Sequence, residues 1–297
     1  MSTHHHTPIP GPKIPPHSWD SHMHILDSRF PLSASASYKP ADHTLSDAMT
    51  FESSVGLSNI VLVQPSIYGN DNSCIFDALK TLGSERARGV VTFDPETMRL
   101  DELGHWHELG VRGVRINLKS VGKVMEEPEL RETLRLYADK VRPLDWVVQI
   151  YMPMQMVPLL ERIVPYLGVR LCVDHMGHPP LGELEEYKAT QNPGTIPGFD
   201  ALVRLLKDGK TYVKISAPYR LSTVEDGVSD VVPIARKLVR EAPDRVVFAT
   251  DWPHTRFDGT DIRPWIKECV EICDGDEKLV EKLFRDNAEV LWDVKRA

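Results

Sequence analysis

Asp20-Ser21-His22-Met23-His24 sets two imidazoles two residues apart in a run short enough to be a strand. Side chains alternate along a strand, so Asp20, His22 and His24 are expected on one face, where the two rings converge. Neutral imidazole nitrogens in such a pair can ligate a metal or donate to an oxygen that gains charge. Two more strand-like runs end in groups of the same kind. Val169–His175 closes on Asp174-His175, and Arg245–Asp251 closes on Ala249-Thr250-Asp251. The same alternation puts Leu171, Val173 and His175 on one face, and Val247, Ala249 and Asp251 on one face. Three histidines and an aspartate at the ends of three such runs could meet an oxygen that gains charge. The same four groups could instead hold one Zn²⁺ in tetrahedral geometry.

Other strand ends add polar groups to this set. Arg115 and Asn117 end one run, with Val114 and Ile116 on the opposite face. Gln149 and Tyr151 end another, and Tyr212, Lys214 and Ser216 alternate along a third. Gln64 ends a fourth, with Ser66 and Tyr68 just beyond. An inward Lys214 has a plain structural reading as the ion-pair partner of Asp20 or Asp251.

These groups can act together only if the fold brings them to one mouth. Eight short apolar runs recur along the chain: Trp19–His24, Asn59–Gln64, Ala87–Phe93, Val111–Asn117, Trp146–Tyr151, Val169–His175, Thr211–Ser216 and Arg245–Asp251. Segments with helical spacing lie between them: Leu45–Val55, Cys74–Leu82, Leu100–Leu109, Glu129–Val141, Gln155–Tyr166, Phe199–Lys207, Val231–Glu241 and Asp261–Cys273. Two short helices, Glu277–Arg285 and Asn287–Trp292, are expected to close the chain. Strand and helix in alternation imply parallel strands with crossover helices. Eight such units predict an α/β fold, a closed (β/α)8 TIM barrel, whose C-terminal strand ends gather catalytic groups. An open doubly wound sheet fits less well, because no phosphate-binding glycine loop follows the first strand. The Gly177–Gly198 loop is long enough to be a wall of the active site.

Composition narrows the function classes. The chain has 297 residues with 35 Lys+Arg against 43 Asp+Glu, a net charge of −8. Such a balance argues against nucleic acid as a partner, since phosphate binding needs basic surface. No stretch approaches the roughly 18 apolar residues of a membrane span. The four cysteines, Cys74, Cys172, Cys269 and Cys273, are too few for a disulfide framework and read as buried thiols. A reducing, cytoplasmic setting is the expectation. Residues 1–16 are polar and proline-rich and read as a loose arm, leaving 17–297 as a single barrel domain. His4-His5-His6 in that arm is assigned no role. Nothing in the sequence fixes an oligomeric state.

Five segments carry a family likeness. Asp20-Ser21-His22-Met23-His24 resembles the D-x-H-x-H signature of the amidohydrolase superfamily. Asp174-His175-Met176-Gly177-His178-Pro179, Val246-Val247-Phe248-Ala249-Thr250-Asp251-Trp252-Pro253-His254, Gln64 to Asn72 and Gly110 to Asn117 resemble its 2-pyrone-4,6-dicarboxylate lactonase group. The likeness runs from about Trp19 to the C-terminal helix. It implies a barrel that opens a cyclic ester of small-molecule size. Carried over by position, Asp251 would be the base for water, and His22, His24 and His175 would bind or polarise the carbonyl. Ser66, Arg115 and Arg220 would hold substrate carboxylates, with Asn117, Tyr151 and His254 beside them. The resemblance also implies that no metal cofactor is required, the alternative being one zinc on His22, His24, His175 and Asp251.

Two departures shape the expectation further. The lactonase group carries a second arginine shortly after its strand-four arginine, and Val121 stands at that position. One carboxylate clamp is therefore missing unless Lys119 or Arg256 replaces it, which predicts a less charged lactone of aromatic or secondary-metabolite type. The metal enzymes of the superfamily add a Lys or Glu from strand four and a His from strand five, where this chain has Asn117 and then Gln149 and Tyr151. A metal-dependent decarboxylase of a hydroxybenzoate-like acid is the alternative activity. Barrels of that kind typically begin with an E-x-H-like strand.

Overall fold

The computed structural model, in which residues 13–36 and 38–295 are described, contains eight strands, all parallel. They are β1 (Trp19–Met23), β2 (Asn59–Val63), β3 (Ala87–Val91), β4 (Val111–Asn117), β5 (Val147–Tyr151), β6 (Leu171–Val173), β7 (Thr211–Ile215) and β8 (Val246–Phe248). Neighbours in the sheet are neighbours in the chain, from β1 through β8. The segment after β8 then returns to β1. Asp251 N donates to His22 O at 2.9 Å, and His24 N donates to Trp252 O at 2.8 Å. These bonds close the sheet into the (β/α)8 barrel that the alternation predicts. The His4–His6 arm lies outside the described residues.

Two apolar layers follow from the period of two. Trp19, Val61, Val63, Val90, Val147, Cys172, Tyr212 and Val247 fill the barrel interior, and Trp292 packs among them. Ile60, Leu62, Val114, Ile116, Leu171, Val173 and Phe248 belong to the outer core that the helices cover. The four cysteines are buried and unpaired. No helix among the described residues is long and apolar enough to cross a membrane.

The outer helices are α1 (Leu45–Val55), α2 (Ser73–Leu82), α3 (Leu100–Glu108), α4 (Glu127–Val141), α5 (Val157–Leu160), α6 (Glu185–Thr190), α7 (Phe199–Lys207), α8 (Val232–Glu241), α9 (Arg263–Glu271), α10 (Glu277–Glu281) and α11 (Asn287–Leu291). The single helix expected over Gln155–Tyr166 is instead a short α5 between two 3₁₀ turns, Met154–Met156 and Val164–Tyr166. Pro158 and Pro165 explain the break, since proline supplies no N–H and is tolerated only in a first turn. The Gly177–Gly198 loop, expected as a wall of the active site, carries α6 and two 3₁₀ turns, and none of its residues lines the cavity at the strand ends.

Helix α1 starts on a capping box. Thr44 N donates to Asp47 Oδ2 at 2.8 Å, and Asp47 N donates back to Thr44 Oγ1 at 3.4 Å. Gly56 ends the helix in the left-handed region, at φ 80°. Thr44→Ala is expected to cost about 1 kcal/mol of stability, read by urea denaturation. A midpoint unchanged from the parent would show that packing alone holds this helix.

Candidate active site

The alternation rule places β4, β7 and β8 as expected but fails on two strands. On β1, Asp20 pairs with Ile60 and Met23 with Leu62, so three steps on one strand oppose two on the other. The extra residue is a bulge. Ile60, Leu62 and Met23 all belong to the outer core, while Trp19 and Val61 are inside. Asp20 therefore lies on the outer face, and the bulge lets both Ser21 and His22 turn inward. Asp20, His22 and His24 do not share one face as the simple period predicts.

On β6 the expected faces are exchanged. Leu171 and Val173 pack outward, and Cys172 and Asp174 point into the barrel. His175 reaches the mouth because the strand ends at Val173 and the chain turns. His175 and Met176 lie in the left-handed region, at φ 51° and 52°. Asp251 is likewise held at φ 63°. Such backbone costs on the order of 1 kcal/mol per residue and persists where the surroundings fix it.

Despite both corrections, the four groups meet. His22 Nε2, His24 Nε2 and His175 Nε2 lie 3.6, 3.7 and 3.9 Å from Asp251 Oδ1. All four residues are buried, and His24, His175 and Asp251 line the cavity at the mouth. His22 lies beneath them, fully buried. The other carboxylate oxygen of Asp251 is taken. Arg220 Nε donates to Oδ2 at 2.6 Å and Tyr219 OH at 2.7 Å. Oδ1 is left as the atom that can receive a proton. Burial alone would raise the Asp251 pKa, but the Arg220 guanidinium outweighs it and holds the group well below the usual carboxylate range. Burial pushes His24 and His175 down to about 4 and holds His22 well below the ordinary imidazole range. At neutral pH the site is thus a carboxylate among uncharged imidazoles.

Below this layer runs a polar network. Lys214 Nζ donates to Gln149 Oε1 at 2.7 Å and lies 3.2 Å from His22 Nδ1. Gln149 Nε2 donates to Asp174 Oδ2 at 3.0 Å. Lys214 thus pairs with Asp174, 3.4 Å away, rather than with Asp20 or Asp251. Burial would raise the Asp174 pKa, yet the Lys214 charge holds it well down. His175 Nδ1 and Ser216 Oγ are 2.8 Å apart. On the outer face, Asp20 accepts from His22 N at 3.0 Å and from Thr250 N at 2.9 Å, and Thr250 Oγ1 donates to it as well. It ties β1 to the segment carrying Asp251. Burial lifts its pKa to about 6, and burial likewise raises Glu52 of α1, beside it, well above the ordinary carboxylate range.

The expected substrate groups divide. Ser66, Arg115, Asn117, Tyr151 and Arg220 line the cavity. Arg115 Nη1 donates to Gln64 O at 3.0 Å, while its Nε, though buried, has no partner. Tyr151 OH bonds His178 Nδ1 at 3.0 Å, and Asn117 Oδ1 accepts from Ser120 N. His254 is absent from the cavity lining; its ring packs against Phe51 and Tyr219. Tyr68 also turns away, bonding Asp27 through its hydroxyl. Tyr38 and Arg256 join the lining, with the Arg256 guanidinium 4.8 Å from the Tyr38 ring centre. Val121 is exposed and Lys119 does not line the cavity.

The metal question turns on the donors. Among the described residues, His22, His175 and Asp251 have ligand atoms within 4.8 Å of one another, with His24 outside that group. The spacing is compatible with one cation. A ligating nitrogen needs its lone pair. Lys214 Nζ lies 3.2 Å from His22 Nδ1, and the tautomer of His22 sets whether its Nε2 has that lone pair to offer.

Comparison with known proteins agrees with the sequence likeness. A family model described as amidohydrolase matches residues 3–294. A 2-pyrone-4,6-dicarboxylate hydrolase from Comamonas testosteroni is 31% identical over 254 residues, 82% of this chain and 78% of that protein. A 4-sulfomuconolactone hydrolase from Hydrogenophaga intermedia is 29% identical over 249 residues, covering 82% and 77%. A solved structure from Pseudomonas putida, provisionally assigned as a 2-pyrone-4,6-dicarboxylic acid hydrolase, superposes with a TM-score of 0.78 at 27% identity, over 95% of this chain and 99% of that one.

Proposed function

Because this chain belongs to the amidohydrolase family, we propose that it hydrolyses a lactone bearing an anionic substituent, a carboxylate or a sulfonate. The observation that carries the reading is the asymmetry of Asp251. Its Oδ2 is tied by Arg220 and Tyr219, and its Oδ1 is free among three imidazoles at the cavity floor. A fixed carboxylate with one free oxygen is the geometry of a general base for water.

The ester carbonyl needs donors where its oxygen gains charge. His24 spends its one proton on Val63 O, 2.7 Å from Nδ1. His175 keeps its proton for Nε2 when Ser216 donates to Nδ1, and it lines the cavity. We therefore assign the carbonyl contact to His175, with His22 and His24 holding the floor beneath it. Arg115 and Arg256 supply positive charge on the cavity wall, and Ser66 adds a hydroxyl. Guanidinium groups suit carboxylate and sulfonate oxygens alike. Arg256 thus offers the second clamp that Val121 does not. The two relatives named above act on lactones with acidic substituents, which supports the assignment.

Hydrolysis by these groups needs no metal, and we infer that none is used. Four buried, unpaired thiols support a reducing compartment. A panel of lactones, followed by acid release with the protein treated with chelator, tests both points. Carboxylated or sulfonated lactones should turn over, their neutral analogues should show higher KM, and chelation should change neither. Turnover that disappears on chelation and returns with zinc would overturn the metal-free reading. Release of CO₂ from hydroxybenzoates, with no lactone opened, would replace hydrolysis by decarboxylation.

A further inference from the structure

Lys214 is a cation buried inside the barrel, away from the cavity lining. A lysine paired with a buried carboxylate is an ammonium, which donates and never accepts. His22 Nδ1, 3.2 Å away, therefore accepts from Lys214 and carries no proton. The neighbouring ring agrees. His24 Nδ1 lies 2.7 Å from Val63 O, a pure acceptor, so His24 is protonated there and its Nε2 offers a lone pair. His22 Nε2 sits 3.3 Å from that lone pair. The donors run one way: Lys214 to His22 Nδ1, His22 Nε2 to His24 Nε2, and His24 Nδ1 to Val63 O.

We propose that Lys214 is a positioning residue that locks His22 with its proton on Nε2, and so withholds that nitrogen from a metal ion. The opposite arrangement is built into the same pocket. Asp174 Oδ1 is 3.4 Å from His22 Nδ1 and would accept a proton from it if the ammonium were gone. A histidine whose far N–H is held by a carboxylate is the usual form of a metal ligand. His22 would then present a bare Nε2 beside His175 and Asp251, the trio already spaced for one cation. One lysine thus separates a hydrogen-bonding floor from a metal-binding one.

The proposal goes beyond the hydrolysis reading and requires no substrate to test. Long-range ¹H–¹⁵N spectra of the full chain, with the His22 signal identified by its loss in His22→Gln, should show Nε2 protonated and Nδ1 bare. A proton on Nδ1 in the unsubstituted protein overturns the proposal without any variant. Lys214→Met, checked for native circular dichroism, should move the proton to Nδ1. After dialysis against Zn²⁺ and removal of free metal, it should keep about one more zinc per chain than the parent. Taking the difference cancels any zinc on His4-His5-His6. Lys214→Arg retains a donor and should behave as the parent does. Lys214→Met with the parent's tautomer and zinc content overturns the proposal. Neither readout uses turnover, so failure on every lactone would sink the hydrolysis reading and leave this one standing.

Discussion

Asp251→Asn should lower kcat by about 10²–10⁴-fold or more, the range that a positioned general base contributes. The change keeps the shape of the side chain and removes the carboxylate oxygen proposed to take a proton from water. KM should move little, because Arg115, Arg256 and Ser66 are untouched. Stability should fall as well. Arg220 would lose the carboxylate that its Nε meets at 2.6 Å, while keeping its bond to Thr255 O. A cation left without its partner in a partly buried site destabilises the fold. Circular dichroism therefore belongs beside the kinetics. A folded Asp251→Asn protein with kcat within tenfold of the parent would remove Asp251 from the role of base.

Much of this site was legible because strand and helix alternate so plainly. Eight Val/Ile-rich runs separated by helical spacing leave few folds open, and a barrel gathers its strand ends at one mouth. That logic brought His22, His24, His175 and Asp251 together from distant parts of the chain. What failed was local. Period-two reasoning assumes an unbroken strand, and the bulge on β1 inserts one residue between Asp20 and Met23. No residue in Asp20-Ser21-His22-Met23-His24 signals it, since the bulge contains no glycine. On β6, the outward packing of Leu171 and Val173 reverses the expected faces, and only the left-handed turn at His175 restores the histidine to the mouth. A turn of that kind is commoner at glycine or asparagine and is not readable from a histidine.

The supporting network was half visible. The alternation puts Lys214 and Gln149 at interior positions, but their partner Asp174 is not read as interior from the sequence. A buried lysine needs a carboxylate, so three polar interior positions at one level were the available clue. Tyr219 left no sequence signal, because its contact with Asp251 depends on the 3₁₀ turn Pro218–Arg220. His254 misled in the other direction. It follows Asp251 closely, yet its ring is buried against Phe51 and Tyr219.

Arg220→Met should shift the acid limb of the kcat/KM profile upward in pH. Burial pushes the Asp251 pKa up, and Arg220 is the leading charge that reverses this. In the parent, Asp251 stays ionised well below the ordinary carboxylate range, and the imidazoles of His24 and His175 protonate only near pH 4. The parent profile should therefore be flat from about pH 5 through neutrality, since each group is in its working form there. Without Arg220 the burial effect is less opposed, Asp251 gains a proton at higher pH, and activity falls while the parent is still on its plateau. Stability follows the same sign. A carboxylate whose folded pKa is depressed adds stability above its unfolded pKa and loses it as pH falls through the folded value. The parent should lose that contribution only at strongly acid pH, whereas Arg220→Met lacks it at neutral pH too. At the plateau, Tyr219 still holds Oδ2, so kcat for the ionised fraction should survive better than in Asp251→Asn. An acid limb that stays where the parent has it would show that the imidazole layer, and not Arg220, keeps Asp251 charged.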